Sequence, residues 1–122
     1  MTIRVLLVED DRRIHGIVAE LLAAIGDLRP VSTVTTEAEA NLWLEENPGG
    51  WDLAVIDLIL EAGTGMGVLP KCRRAAGAAK AVVLSNYVSP VIHKHCLALG
   101  ADAVFHKAHD MDRFIAFCAD LR

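Results

Sequence analysis

Apolar residues fall along the 122-residue chain in two alternating rhythms. Short runs rich in Val, Ile and Leu occupy 3–8, 31–35, 53–58 and 81–85, with a weaker one at 102–106. Their length and β-branched content predict strands. Between them, apolar positions recur at three- and four-residue steps, the spacing of one helix face. Ile14, Ile17, Val18, Leu21, Leu22 and Ile25 mark a first helix that Gly26 ends. Thr36 and Glu39 form the capping box of a second, which stops before Pro48. A third is expected over about 66–75, where Pro70 fits only in the first turn. Ser89-Pro90, a cap followed by proline at the first helical position, opens a fourth that runs to Gly100. Met111, Phe114, Ile115, Cys118 and Leu121 share one face of a fifth.

Strand–helix alternation repeated five times predicts an α/β fold: a parallel sheet with helices on both faces. Ligands of such sheets bind beyond the carboxyl ends of the strands. The residues that end each run are therefore the candidates for chemistry. They are Glu9-Asp10-Asp11, Asp57, Ser85-Asn86 and Lys107. Asp57 stands out, being the single polar residue between Leu53 and Leu60. A carboxylate buried without a partner is costly, so it needs either a counter-charge or a task.

Length fits one domain, spanning 1–122. The net charge of −4 gives no basic footprint and argues against direct nucleic-acid binding. No apolar run approaches the roughly 20 residues of a membrane span. The N-terminal "MTIRVLLVEDD" brings acids by position 9 and lacks the layout of a secretory signal. A soluble, cytoplasmic protein without membrane contact is expected. Cys72, Cys96 and Cys118 are odd in number and have no CxxC spacing, so they read as reduced thiols on helices.

Acids gathered at one sheet edge repel one another unless cations intervene. Lys107 supplies one positive charge. An all-oxygen set with few carboxylates suits Mg²⁺ for the rest. Carboxylates, a divalent ion, an ammonium and a hydroxyl together equip a site to handle a phosphoryl group. Asp57 is then the candidate nucleophile, forming an aspartyl phosphate. Taken singly, Asp11 reads as a helix cap, Ser85 as a loop hydroxyl and Lys107 as a solvated charge. Their coincidence at consecutive strand ends favours the site.

The segments "VLLVEDD", "DLAVIDLIL", "VVLSN" and "GADAVFHK" resemble, in order and spacing, the receiver domain of bacterial two-component response regulators. The resemblance covers essentially the whole chain. It implies a flavodoxin-like (βα)5 fold with strand order 2-1-3-4-5. It also implies phosphorylation of Asp57 by a histidine kinase or histidine phosphotransfer protein, and a downstream protein or output domain as the receiving partner. Glu9, Asp10, Asp57 and the backbone carbonyl of Ile59 match the family's Mg²⁺ ligands. Ser85 and Lys107 match the residues that bind the phosphoryl group. No enzymatic activity is expected beyond Mg²⁺-dependent self-phosphorylation and dephosphorylation at Asp57.

Several positions depart from the family pattern. Glu61 replaces a common Pro and, with "AGTG" behind it, predicts a more mobile loop. Ala108 follows the lysine where Pro is usual, which argues against a cis bond there. Val104 occupies the place of the aromatic switch residue. Phe105 is one residue off and so faces the other side of the sheet, leaving Tyr87 as an alternative aromatic readout. Ile59 and Tyr87 are also expected to guard the phosphorylated aspartate against water. His93, Lys94 and His95 read as exposed residues, because i,i+2 positions do not share a helix face.

Other functions fit less well. A dehalogenase-type enzyme needs a second Asp where Ile59 stands, and a flavin-binding module needs a phosphate loop that strand one lacks. A receiver that works without phosphorylation, or the regulatory part of a DNA-binding transcription factor, remain the alternatives.

Overall fold

The computed structural model describes residues 1–75 and 77–121. Its elements follow in strict alternation: β1 (Ile3–Val8), α1 (Arg12–Ile25), β2 (Leu28–Val34), α2 (Glu37–Glu46) and β3 (Leu53–Ile56). A 3₁₀ turn (Gly65–Gly67) then leads into α3 (Leu69–Ala75), β4 (Lys80–Ser85), α4 (Pro90–Leu99), β5 (Ala103–His106) and α5 (Met111–Asp120). All neighbouring strands pair in parallel, in the order β2-β1-β3-β4-β5. This is the expected flavodoxin-like arrangement.

Alternation along each strand divides the core between the two faces of the sheet. Leu6, Val8, Ala54, Ile56, Val83 and Val104 pack on one side with residues of α2, α3 and α4, including Ala40, Leu44, Leu69, Cys72 and Cys96. Val5, Leu7, Val55, Leu84 and Phe105 pack on the other with Val18 and Leu22 of α1 and Phe114 and Cys118 of α5. Phe105 meets Phe114 edge-on, with ring centroids 5.6 Å apart. The three cysteines are free and buried. Burial pushes the Cys72 and Cys118 thiols up to about 12, so they act as small core residues rather than nucleophiles.

The helix starts are built as their sequences imply. Asp11 caps α1, accepting the Arg13 N–H, and Ser89 caps α4, accepting the Ile92 N–H. In α2 the Thr36 hydroxyl accepts the Glu39 N–H. The Glu39 carboxylate in turn accepts both threonine hydroxyls of Thr35 and Thr36. Pro70 lies in the first turn of α3, where its missing N–H costs nothing.

Two elements differ from expectation. The strand expected at 31–35 starts earlier, at Leu28, and runs through Pro30. Its register against β1 slips between Val5 and Leu6, so Val31 is left unpaired. A bulge on an edge strand tolerates the proline that a central strand would exclude. The helix expected from about 66 begins only at Leu69, because Gly65–Gly67 form a tighter 3₁₀ turn. No helix among the described residues is long and apolar enough to cross a membrane.

Candidate functional site at the carboxyl edge

Parallel pairing continues one step past the strands and fixes the direction of the residues that follow them. The Glu9 N–H donates to the Val34 carbonyl at 3.0 Å, and the Asp57 N–H to the Val8 carbonyl at 2.9 Å. The Lys107 N–H donates to the carbonyl of Ser85, the last residue of β4, at 3.0 Å. Side chains from the ends of β1, β3 and β5 are thereby aimed at one place.

Glu9, Asp10 and Asp57 each bring a carboxylate oxygen within 4.8 Å of the others. Glu9 and Asp57 are only 3% and 8% exposed. The Lys107 ammonium lies between them, donating to Glu9 Oε1 at 2.5 Å and Asp57 Oδ2 at 2.9 Å. One ammonium against three carboxylates leaves the cluster two negative charges in excess. Burial drives the Glu9 carboxyl above its ordinary range, opposed by the bonds from Lys107 and the Asp11 N–H and reinforced by the Asp57 charge. For Lys107, burial works against the charge, but the bonds to Glu9 and Asp57 prevail and hold its pKa above the ordinary lysine value. The ammonium is thus firmly protonated and serves as the site's internal counter-ion.

The donor set fits a hard divalent cation: charged oxygens from three carboxylates, with an uncompensated negative charge. Ile59, the fourth ligand expected from the resemblance, is held beside the cluster. Its N–H points to Asp57 Oδ1 at 3.4 Å, and its backbone forms an antiparallel bridge with Thr64.

The segment after Asp57 is not the loose loop that its composition suggests. The Glu61 N–H donates to the Thr35 carbonyl at 3.1 Å, and the Glu37 N–H to the Ala62 carbonyl at 3.0 Å. The Gly65 N–H returns to the Leu58 carbonyl at 2.9 Å. A Cβ on Gly65 would fall on the Asp57 carbonyl oxygen, so the chain passes too close to the aspartate for any other residue. Sequence reasoning missed Gly65, although a glycine repeated at every second position over 63–67 hints at close approaches. It also missed His15, whose Nε2–H donates to the Glu9 carbonyl at 2.6 Å and braces the turn after β1. A half-apolar helix face gives no signal for that contact.

The remaining candidates divide between core and surface. Ser85 is fully buried and its Oγ accepts the Tyr87 N–H at 3.2 Å. The Tyr87 side chain is exposed, as is that of Ile59. Val104 and Phe105 face opposite sides of the sheet, and the ring on the Val104 side of β5 is the imidazole of His106 rather than a Phe, Tyr or Trp. No cis peptide bond occurs among the described residues. His95 is exposed as expected, whereas His93 is half-buried and turns into a cleft of about 530 Å³ shared with His106 and His109. The two neighbours of Lys94 therefore occupy different surroundings, as their helical spacing requires.

A doubly wound parallel sheet with an acid–lysine cluster at its switch-point edge defines the class: a flavodoxin-like α/β domain. The chain belongs to the response regulator receiver domain family, whose sequence model matches residues 5–118. No curated protein sequence matches it. Among solved structures it is similar to a LuxR-family two-component response regulator from Aurantimonas sp. SI85-9A1, with a TM-score of 0.81 and 21% identity over 98% of this chain and 87% of that one. It is similar to the response regulator domain of Thermotoga maritima CheB, with a TM-score of 0.81 and 17% identity over 98% of both chains. It is also similar to the phosphorylated cyanobacterial phytochrome response regulator RcpA, with a TM-score of 0.77 and 22% identity over 99% of this chain and 91% of that one.

Proposed function

We propose that Asp57 accepts a phosphoryl group from the phosphohistidine of a histidine kinase or phosphotransfer protein. The observation that carries this reading is the Lys107 ammonium bridging buried Glu9 and Asp57 at the carboxyl edge of the sheet. That arrangement fixes the Asp57 carboxylate beside an ammonium that would pair with the charge of an incoming phosphoryl group. An Asp57 carboxylate oxygen attacks the donor phosphorus; the new O–P bond forms as the donor's P–N bond breaks, and the leaving imidazole keeps the electron pair. Lys107 then pairs with a phosphoryl oxygen, and the Ser85 hydroxyl donates to another. Glu9, Asp10, Asp57 and the Ile59 carbonyl would hold Mg²⁺, which would supply charge neutralisation for the transferring oxygens. Ile59 and Tyr87, both exposed, are assigned the role of limiting the approach of water to the acyl phosphate.

Readout follows from Ser85. Its movement toward the phosphoryl group breaks the bond from the Tyr87 N–H and so disturbs the start of α4. The surface from α4 to α5 is the face offered to a downstream protein or output domain. With Val104 in place of an aromatic, this readout runs through Tyr87 and the β4–α4 turn.

The test is intact-protein mass spectrometry after acetyl phosphate and Mg²⁺. Wild type is expected to gain one phosphoryl group, and Asp57→Asn and a Mg²⁺-free sample none. Equal modification of Asp57→Asn would remove Asp57 from this role. An unmodified wild type would favour a receiver that binds its partners without phosphorylation.

A further inference from the structure

We propose that Glu37, at the first turn of α2, is a positioning residue for the cation and phosphoryl site, acting through Thr64 on the Ile59 segment. The inference rests on the Asp57 reading above and adds a residue that lies outside the acid cluster. Its starting point is the "GTGMG" run at 63–67, whose three glycines each make room for something specific. Gly63 has a φ of +75°, and a Cβ there would lie 2.5 Å from the Glu37 Cβ. A Cβ on Gly67 would fall on the Glu37 carboxylate. Two of the three glycines are therefore shaped around one glutamate, and the third, Gly65, around the Asp57 carbonyl.

Within that cradle Glu37 Oε1 accepts the Thr64 N–H at 2.9 Å. Thr64 in turn is bridged to Ile59, two residues from Asp57. The connection runs from α2 to Thr64, then to Ile59, whose carbonyl is the backbone ligand assigned to the cation. Parallel bridging of Thr36 with Ala62 and the bond from the Glu37 N–H to the Ala62 carbonyl fasten the same loop from its other side. Glu37 is the side chain that holds this loop, alongside the backbone bonds of Glu61 to Thr35 and Gly65 to Leu58. A carboxylate is also favoured at that place by the amino end of α2.

The experiment compares full-length wild type with Glu37→Ala, Glu37→Gln and Gly67→Ala. Mg²⁺ affinity is read from amide shifts on titration, and loop order from hydrogen exchange at the Thr64 amide. Losing one charge-assisted bond predicts about tenfold weaker Mg²⁺ binding and about tenfold faster Thr64 exchange in Glu37→Ala. Glu37→Gln keeps an oxygen for the Thr64 N–H and is expected within about threefold of wild type. Gly67→Ala keeps Glu37 but evicts its carboxylate, and is expected to follow Glu37→Ala. Saturating Mg²⁺ should restore the phosphorylation rate of both, which a general loss of fold would not allow. Mg²⁺ affinity in Glu37→Ala equal to wild type, or Gln failing as badly as Ala, would overturn the proposal. A wild type that binds no Mg²⁺ would overturn the Asp57 reading as well, and so separates the two failures.

Discussion

Replacing Lys107 with Met removes the ammonium and keeps an unbranched apolar stem of nearly the same length. Glu9 and Asp57 are then left as buried carboxylates with no counter-charge between them, at 4% and 10% side-chain exposure. Removing one partner of such a pair costs about 3–5 kcal/mol when the other charge stays buried. Lys107 keeps 18% exposure and the cluster sits at a surface edge, so the lower end, about 3 kcal/mol, applies. Unfolding entropy of about 2.1 cal/mol/K per residue amounts to about 0.26 kcal/mol/K for this length. The midpoint should therefore fall by about 12 °C in metal-free buffer, measured by thermal circular dichroism with EDTA present. Adding Mg²⁺ should raise the midpoint of Lys107→Met more than that of wild type, because the cation then answers an unpaired charge. Equal midpoints for the two proteins in EDTA would refute the reasoning, since they would show that the carboxylates do not depend on the ammonium.

Arg4 holds Asp52 through its side chain and its backbone N–H, and these bonds keep the Asp52 carboxyl below its usual range against the opposing effect of burial. A lowered carboxylate contributes stability above its unfolded pKa of about 3.9 and loses it as pH falls through the folded value. Asp52→Asn should accordingly cost about 1 kcal/mol at pH 7, with solvent screening included, and nothing near pH 2, as read by urea titration at both pH values. Glycines should split by environment: Gly16 lies in mid-helix with nothing within 4 Å of an added Cβ, so Gly16→Ala should stabilise by about 1 kcal/mol. Gly65→Ala, forced against the Asp57 carbonyl and Ile56, should destabilise by about 2–3 kcal/mol and weaken phosphorylation; a neutral result in a thermal melt and a labelling assay would refute that packing argument.

Much of this molecule is legible in its sequence because parallel sheets turn order along the chain into position. Lys107 lies 98 residues from Glu9 and 50 from Asp57, yet all three touch, since each follows a strand of one sheet. Strand ends were readable from apolar runs, and their co-location follows from topology alone. Pro30 marks where such reading fails: proline signals a break, and only the edge position of β2 lets the strand pass through it. The "GTGMG" run marks a second limit. Composition equates glycine with looseness, whereas here each glycine is set by an atom elsewhere: the Glu37 side chain or the Asp57 carbonyl. Glu37 itself looks like an ordinary acid of a first helical turn, because its partner is 27 residues away. Contacts of that kind leave no periodic trace.

The stitching of the β2–α2 turn to the segment after Asp57 gives the acid cluster two unequal flanks. On one side, backbone bonds join residues far apart in sequence, such as Glu61 to Thr35 and Glu37 to Ala62. On the other side, the turns after β4 and β5 close mainly on themselves, through Tyr87 to Ser85, Ile92 to Ser89 and His106 to Asp110. On the proposed reading, phosphorylation of Asp57 would therefore displace the chain less toward α2 than toward α4 and α5, and amide hydrogen exchange on the two flanks would measure that difference.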